Sequence, residues 1–258
     1  MLNTNDEELL YYHPQHYDQR YRNLVEDIPF LVRQVEKSGT PVLELGCGTG
    51  RILFPLAEKK FSVTGIEVSH AMLKRAKQKA KEKKLSVELM QGDCCNFSLG
   101  KKFQTILLSF NFIAHLRDNN RFAACCSCIQ KHLAQGGKVI IDYINPDVLA
   151  LAIANRRIEN VVEYPHPEKK GIVKVSVSNN YDAATQINHI YWHYTFEGEE
   201  EECIDDVQMR IYFPLELDAF LQFNGFTIEE KYGNYDESPF ISSSPKQLFV
   251  CSLERNRT

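Results

Sequence analysis

The chain has 258 residues, a formal net charge of −4 and a pI near 6.1. That length supports one α/β domain with an insertion, or a domain with a small lid, while the acidic balance argues against a nucleic-acid partner, which would need clustered Lys and Arg. No apolar run approaches the roughly 20 residues that span a bilayer, and the polar start Leu2-Asn3-Thr4-Asn5-Asp6-Glu7-Glu8 lacks a signal peptide's basic and apolar regions, so a cytoplasmic chain without a membrane partner is expected.

Taken in chain order, Tyr11 to Tyr21 is an aromatic segment that either anchors the N-terminus or closes as a lid, with Tyr17 and Tyr21 the better candidates for a functional role. Leu24, Ile28, Leu31, Val32 and Val35 then form a helical stripe over Arg22 to Lys37. Pro41-Val42-Leu43-Glu44-Leu45 reads as a strand, and Gly46-Cys47-Gly48-Thr49-Gly50 as a tight turn opening a helix from Arg51. A dinucleotide fingerprint needs glycine at the sixth position of such a turn, where this chain has Arg51, so a ligand without a pyrophosphate is favoured.

A second strand, Phe61 to Ile66, ends in the acid Glu67 before a helix that Ser69 can cap. In a βαβ unit that acid faces the glycine turn and can accept hydrogen bonds from both hydroxyls of a ribose. The basic run Lys74 to Lys84 reads as the solvated face of that amphipathic helix, whose apolar positions are Met72, Leu73, Ala76 and Ala80. A third strand, Ser86 to Met90, leads to Asp93 and Cys94, a fourth spans Phe103 to Ser109, and a helix over Arg121 to Leu133 stops at Gln135-Gly136-Gly137 before a fifth strand, Lys138 to Tyr143. Beyond Asn145-Pro146-Asp147, which begins a short helix, period-two alternation marks antiparallel strands at Ile172 to Val177, Ile187 to Phe196 and Val207 to Phe213, with the acidic run Glu197 to Glu202 as a solvated hairpin end. A helix over Pro214 to Asn224 closed by Gly225, and strands at Phe226 to Tyr232 and Lys246 to Leu253, complete the chain.

Glu44 to Gly50, Glu67 and Asp93 with Cys94, in that order, resemble the class I S-adenosylmethionine-dependent methyltransferases. The resemblance implies a Rossmann-like α/β sheet with helices on both faces and an inserted antiparallel β lid. It divides the chain into an N-terminal aromatic segment and helix (1–37), a cofactor-binding core (38–145), the lid (146–213) and a C-terminal part of the core (214–258). S-adenosylmethionine is the implied cofactor, held by Tyr17, Tyr21, Glu44, Gly46, Cys47, Gly48, Gly50, Glu67, Val68, Met72, Asp93, Cys94, Ser109 and Phe110, with Glu67 on the ribose and Asp93 and Cys94 on the adenine.

Methyl transfer from a sulfonium is an in-line displacement, which requires orientation and dehydration more than covalent chemistry. Tyr17, Asn111 and His115 are the expected catalytic residues, with Tyr143 and His193 as further candidates; for His115 the competing reading is a histidine satisfied by local backbone. Asn111, in Ser109-Phe110-Asn111-Phe112, does not sit in the Asn-Pro-Pro-Tyr motif of nucleic-acid amino-methyltransferases, so the expected reaction methylates nitrogen or oxygen of a small-molecule acceptor. The loop Gly233 to Phe240 either closes a hairpin or borders the acceptor.

No metal is expected: His189 and His193 alternate as in a strand, about 13 Å apart, too far to share an ion. The CxxC from Cys125 to Cys128 lacks a second pair at zinc spacing, and the eight cysteines read as reduced, packed thiols. A homodimer is allowed but not specified. The alternatives are an idle regulatory subunit that binds S-adenosylmethionine, or an aminopropyl-type transferase on the same fold, which the absence of an acidic polyamine motif beside Phe110 disfavours.

Overall fold

The computed structural model describes residues 13–153 and 156–254; Tyr11, Tyr12 and the polar start Leu2 to Glu8 lie outside them. The chain forms two compact units, a smaller one of residues up to Leu24 with Asp147–Ile211, and a larger one of Val25–Pro146 with Tyr212–Thr258. No helix among the described residues is long and apolar enough to cross a membrane.

The smaller unit begins with helix α1 (Pro14–Arg20), where the proline occupies a position whose amide would have had no helical partner. The larger unit opens with α2 (Asp27–Ser38), whose apolar stripe is buried at Phe30, Leu31, Val32 and Val35. There follow β1 (Val42–Leu45), α3 (Leu53–Glu58), β2 (Val63–Glu67), α4 (His70–Glu82), β3 (Glu88–Gln91), β4 (Phe103–Leu108), a short 3₁₀ turn at Phe112–His115, α5 (Asn119–His132) and β5 (Leu133–Ile144). Ser69 caps α4 by accepting the Met72 amide at 3.3 Å, and Asp118 caps α5 through the Arg121 amide at 2.8 Å.

The smaller unit resumes with α6 (Val148–Ala152), β6 (Ile158–Pro165), β7 (Ile172–Asp182), β8 (Ile187–Phe196) and β9 (Cys203–Arg210). The larger unit ends with α7 (Pro214–Phe223), β10 (Phe226–Tyr232) and β11 (Lys246–Leu253).

The seven strands of the larger unit form one sheet in the order β10-β11-β5-β4-β1-β2-β3. β1 to β5 are parallel and β11 runs against both of its neighbours. The strand order reverses between β1 and β4, so the carboxyl ends of these strands flank the switch point where open α/β sheets bind ligands. All four residues of β1 and all five of β2 are buried, as in parallel strands covered on both faces.

The smaller unit is a four-stranded antiparallel sheet, β6-β7-β8-β9, with a core of Tyr164, Val173, Val175 and Tyr194. Arg20 of α1 is fixed to it: its guanidinium donates to the Tyr194 hydroxyl at 2.9 Å and lies 3.5 Å from the centre of the Trp192 ring.

Three details differ from the sequence expectation. β5 starts at Leu133, directly after α5, and runs through Gly136 and Gly137 where a helix stop was expected. The last strand of the smaller unit is Cys203–Arg210 rather than Val207 to Phe213, displaced toward the hairpin because β9 pairs with β8 from Ile187↔Arg210 to Tyr194↔Cys203. β6 went unnoticed because most of its residues are exposed and its pairing is interrupted between Ile158 and Val162, leaving little alternation to read.

Candidate functional site

The turn after β1 is held by β2, for the amides of Gly46 and Cys47 both donate to the Ile66 carbonyl, at 2.8 and 3.0 Å. Gly46, Gly48 and Gly50 have φ of 70°, 55° and 86°, a left-handed path that side chains disfavour. Their surroundings differ. A Cβ on Gly46 would lie 2.3 Å from the Phe112 ring and one on Gly50 would lie 2.4 Å from the Phe54 ring, so these two are required by packing. A Cβ on Gly48 would meet only the end of Met72, at 3.4 Å, which leaves this glycine open to a ligand. The Cys47 side chain is turned toward Gly65 of β2, so the residue can offer a ligand only its backbone.

Two buried acids stand beside this turn. Glu67, at the tip of β2, accepts the Gly48 amide at 2.9 Å on one oxygen and the Ser69 amide at 2.8 Å on the other. Each oxygen keeps a lone pair for a ligand hydroxyl. Burial raises its pKa against the pull of those backbone donors. Glu44, 2% exposed on β1, accepts the Ser109 hydroxyl at 2.6 Å on Oε1, while its buried Oε2 has no partner among the described residues. Burial pushes this carboxyl from 4.5 to about 8. A buried acceptor left unpaired in a ligand crevice is a group awaiting a donor.

The exit of β4 holds the backbone in an uncommon form: Phe110 and Asn111 are consecutive left-handed residues, with φ of 53° and 59°. Strain of this kind persists where its surroundings over-determine it, and often marks a site. Asp142, fully buried on β5, accepts the Phe110 amide at 3.3 Å, the Tyr235 hydroxyl at 2.9 Å and Lys246 Nζ at 3.1 Å, and its carbonyl takes the Asn111 amide at 2.9 Å. Asn111 Oδ1 in turn accepts the Ile144 amide at 2.8 Å. The Arg51 guanidinium lies 4.6 Å from the Phe110 ring centre and grips Asp27 of α2 with two bonds of 2.8 and 2.6 Å. Sequence reasoning named Phe110 and Asn111, and Tyr235 only within the loop Gly233 to Phe240, but missed Asp27, Asp142 and Lys246, which are distant in sequence; the acid inside the apolar run Val139 to Ile144 was the available signal.

Asp93 and Cys94 sit in a tight turn just past β3, bracketed by the Asp93↔Asn96 bridge, with Asp93 paired to Arg121 at 2.9 Å. Met72 is buried beside Gly48, whereas Val68 is 68% exposed. His115 ends the 3₁₀ turn after β4, and burial with the nearby Arg117 charge lowers its pKa to about 4, leaving a neutral imidazole at physiological pH. Tyr143 belongs to the core, its hydroxyl accepting the Tyr212 amide at 3.1 Å. Tyr17, Tyr21 and His193 belong to the smaller unit. The Tyr17 and Tyr21 rings lie 4.8 Å apart, and His193 is occupied by Glu202 at 3.1 Å and Ser178 at 2.9 Å.

The larger unit thus brings together the glycine turn, Glu44, Glu67, Met72, Ser109 and Phe110 at one sheet edge. An open Gly48, carboxylate lone pairs suited to two hydroxyls and an unpaired buried acceptor suited to an ammonium fit a nucleoside bearing an amino-acid tail.

Comparison with known proteins agrees with this geometry. A methyltransferase domain family matches residues 42–137. An uncharacterised methyltransferase of Anoxybacillus flavithermus is 33% identical over 155 residues, covering 57% of this chain and 69% of the relative. The dTDP-3-amino-3,4,6-trideoxy-alpha-D-glucopyranose N,N-dimethyltransferase of Streptomyces venezuelae is 29% identical over 122 residues, 47% of this chain and 50% of the relative. The chain thus spans about half the length of the first curated relatives it matches. Among solved structures, the CcbJ methyltransferase of Streptomyces caelestis superposes with a TM-score of 0.78 at 22% identity, covering 90% of each chain. The chain belongs to the class I S-adenosylmethionine-dependent methyltransferases.

Proposed function

We propose that the protein transfers a methyl group to a nitrogen or oxygen of a small metabolite, with an amine nitrogen the favoured acceptor. The observation that carries this reading is the pair of buried acids, Glu44 and Glu67, set against the open left-handed turn at Gly48. When bound, S-adenosylmethionine supplies a sulfonium-activated methyl group. Glu67 holds the ribose through the lone pairs that Gly48 and Ser69 leave free, Glu44 Oε2 meets the ammonium, and Asp93 and Cys94 border the adenine. The displacement needs no covalent intermediate on the protein, so the remaining residues orient the acceptor and exclude water.

His115 and Asn111, at the exit of β4, and Tyr17, on α1, are proposed for that work. Burial and the Arg117 charge keep His115 neutral and make it a weak base, so its proposed role is to orient the acceptor rather than to take its proton. The amine preference draws support from the Streptomyces venezuelae relative, which is named as an N,N-dimethyltransferase of an amino sugar nucleotide. A cytoplasmic location belongs to the same reading, supported by the absence of a membrane-spanning helix among the described residues.

The test is incubation with S-adenosylmethionine carrying an isotopically labelled methyl group and sets of small amines and hydroxyl compounds. Label recovered in an amine product is expected. Tight cofactor binding without transfer to any acceptor would favour an idle binding subunit instead.

A further inference from the structure

Asn111 follows β4 at the carboxyl edge of the parallel sheet, beside the switch point between β1 and β4. Most of its polar groups are committed to the fold. Its amide donates to the Asp142 carbonyl at 2.9 Å, its carbonyl accepts the Ala114 amide at 2.9 Å, and its side-chain Oδ1 accepts the Ile144 amide at 2.8 Å. The last contact settles which end of the side-chain amide is oxygen, because a backbone N–H requires an acceptor. Nδ2, with its two N–H donors, has no partner among the described residues, and the residue is half-buried rather than sealed in the core. We infer that Asn111 Nδ2 donates to an oxygen of the methyl acceptor, and that this acceptor is a vicinal amino alcohol, methylated at nitrogen and held through its hydroxyl.

This subsite rests on the methyl-transfer reading above and narrows its acceptor. The fold itself needs only the oxygen of the side chain. Aspartate would accept the Ile144 amide as well and tolerates the left-handed φ of 59°, so neither the turn nor its hydrogen bonds account for the N–H₂ group. That group is also held in place before a ligand arrives. The Asn111 amide is tied to Asp142, whose carboxylate is fixed by the Tyr235 hydroxyl at 2.9 Å and by Lys246 Nζ at 3.1 Å. The attacking nitrogen is excluded as the partner of the donor. Its lone pair must form the bond to the methyl carbon as the sulfur–carbon bond breaks, the surplus proton on nitrogen passing to solvent, and a hydrogen bond to that pair would hold it back. An oxygen keeps a lone pair for the donor throughout, and a hydroxyl beside the amine supplies one. An acceptor without the hydroxyl would leave the donor stripped of water and unpaired, which is the basis of strong discrimination.

The probes are a vicinal aminocyclohexanol and cyclohexylamine, compared on the full chain with Asn111→Asp as the variant. Aspartate keeps the size of the side chain and an oxygen for the Ile144 amide but removes both donors. In wild type, kcat/KM for labelled methyl transfer should be at least about tenfold higher for the amino alcohol, and calorimetry with S-adenosylhomocysteine present should show the same preference in binding. In Asn111→Asp the ratio should fall to about one, since the introduced charge acts on both amines and cancels between them. The wild-type ratio is a test whether or not the variant folds. Equal handling of the two amines by wild type, transfer to neither by wild type that binds S-adenosylhomocysteine, or an undiminished ratio in folded Asn111→Asp would overturn the subsite. In the last case a collapse of S-adenosylhomocysteine affinity would assign the donor to the cofactor instead. Wild type without affinity for S-adenosylhomocysteine would refute the cofactor reading, and the subsite with it.

Discussion

Glu67 is the residue on which the cofactor site turns, because one carboxylate both ties the glycine turn to α4 and keeps acceptor capacity for a ribose. Glu67→Ala should weaken S-adenosylhomocysteine binding by about 1.5–3 kcal/mol, the scale of a charge-assisted contact. Calorimetry would read this directly, and unchanged affinity in a folded variant would remove Glu67 from the ribose site. Glu44 makes a second prediction, in pH. Its folded pKa, about 8, lies above the ordinary 4.5, so between those values the folded state holds a proton that the unfolded state releases. The stability it contributes is full below 4.5 and is lost as pH rises toward 8, by an amount on the order of a few kcal/mol. In urea unfolding, wild-type stability should therefore fall relative to that of Glu44→Gln as pH rises across that window, because the variant's side chain cannot ionise. Parallel pH profiles would show that the Glu44 carboxyl is not shifted. Tyr17→Phe should cut turnover with little change in melting temperature if the hydroxyl orients a substrate; identical kinetics would return Tyr17 to a packing role.

At the scale of elements, the Asp27–Arg51 pair joins α2 to the glycine turn with two short bonds, Asp27 being 1% exposed. Removing one partner of such a pair leaves a charge without its counterpart, which costs far more than a surface ion pair is worth. Asp27→Asn should lose about 3 kcal/mol of stability in denaturant unfolding, and the double variant with Arg51→Met should recover part of it. A loss below about 1 kcal/mol would mean that the pair is solvated in practice. The same logic explains the turn at Phe110 and Asn111. Two adjacent left-handed residues are held because Asp142 accepts both of their amides, Asn111 Oδ1 accepts the Ile144 amide and Arg51 lies over the Phe110 ring.

For the whole molecule, a ligand that binds only the folded larger unit stabilises it by mass action, about 2.7 kcal/mol at a hundredfold excess over the dissociation constant. At 2–4 °C per kcal/mol for a chain of this size, S-adenosylmethionine and S-adenosylhomocysteine should raise the melting temperature by several degrees. NAD should not, because Arg51 stands where a dinucleotide turn needs its third glycine, and its side chain is committed to Asp27. An equal or larger shift with NAD in differential scanning fluorimetry would contradict the cofactor assignment.

The sequence by itself determined the parallel sheet, the glycine turn and the acid after the second strand, because each is written in local chemistry: buried apolar runs, positive-φ glycines, and a carboxylate at a strand tip. Tyr17 and Tyr21 were legible as an aromatic segment, though the helix that carries Tyr17 and ends at Tyr21 was not. Tertiary structure alone decided what those residues do. Only packing distinguishes Gly46 and Gly50, which make room for Phe112 and Phe54, from Gly48, which stays open. Only the β5–β11 and β4–β5 pairings bring Asp142 to Tyr235, Lys246 and the β4 exit, across as many as 104 residues of chain.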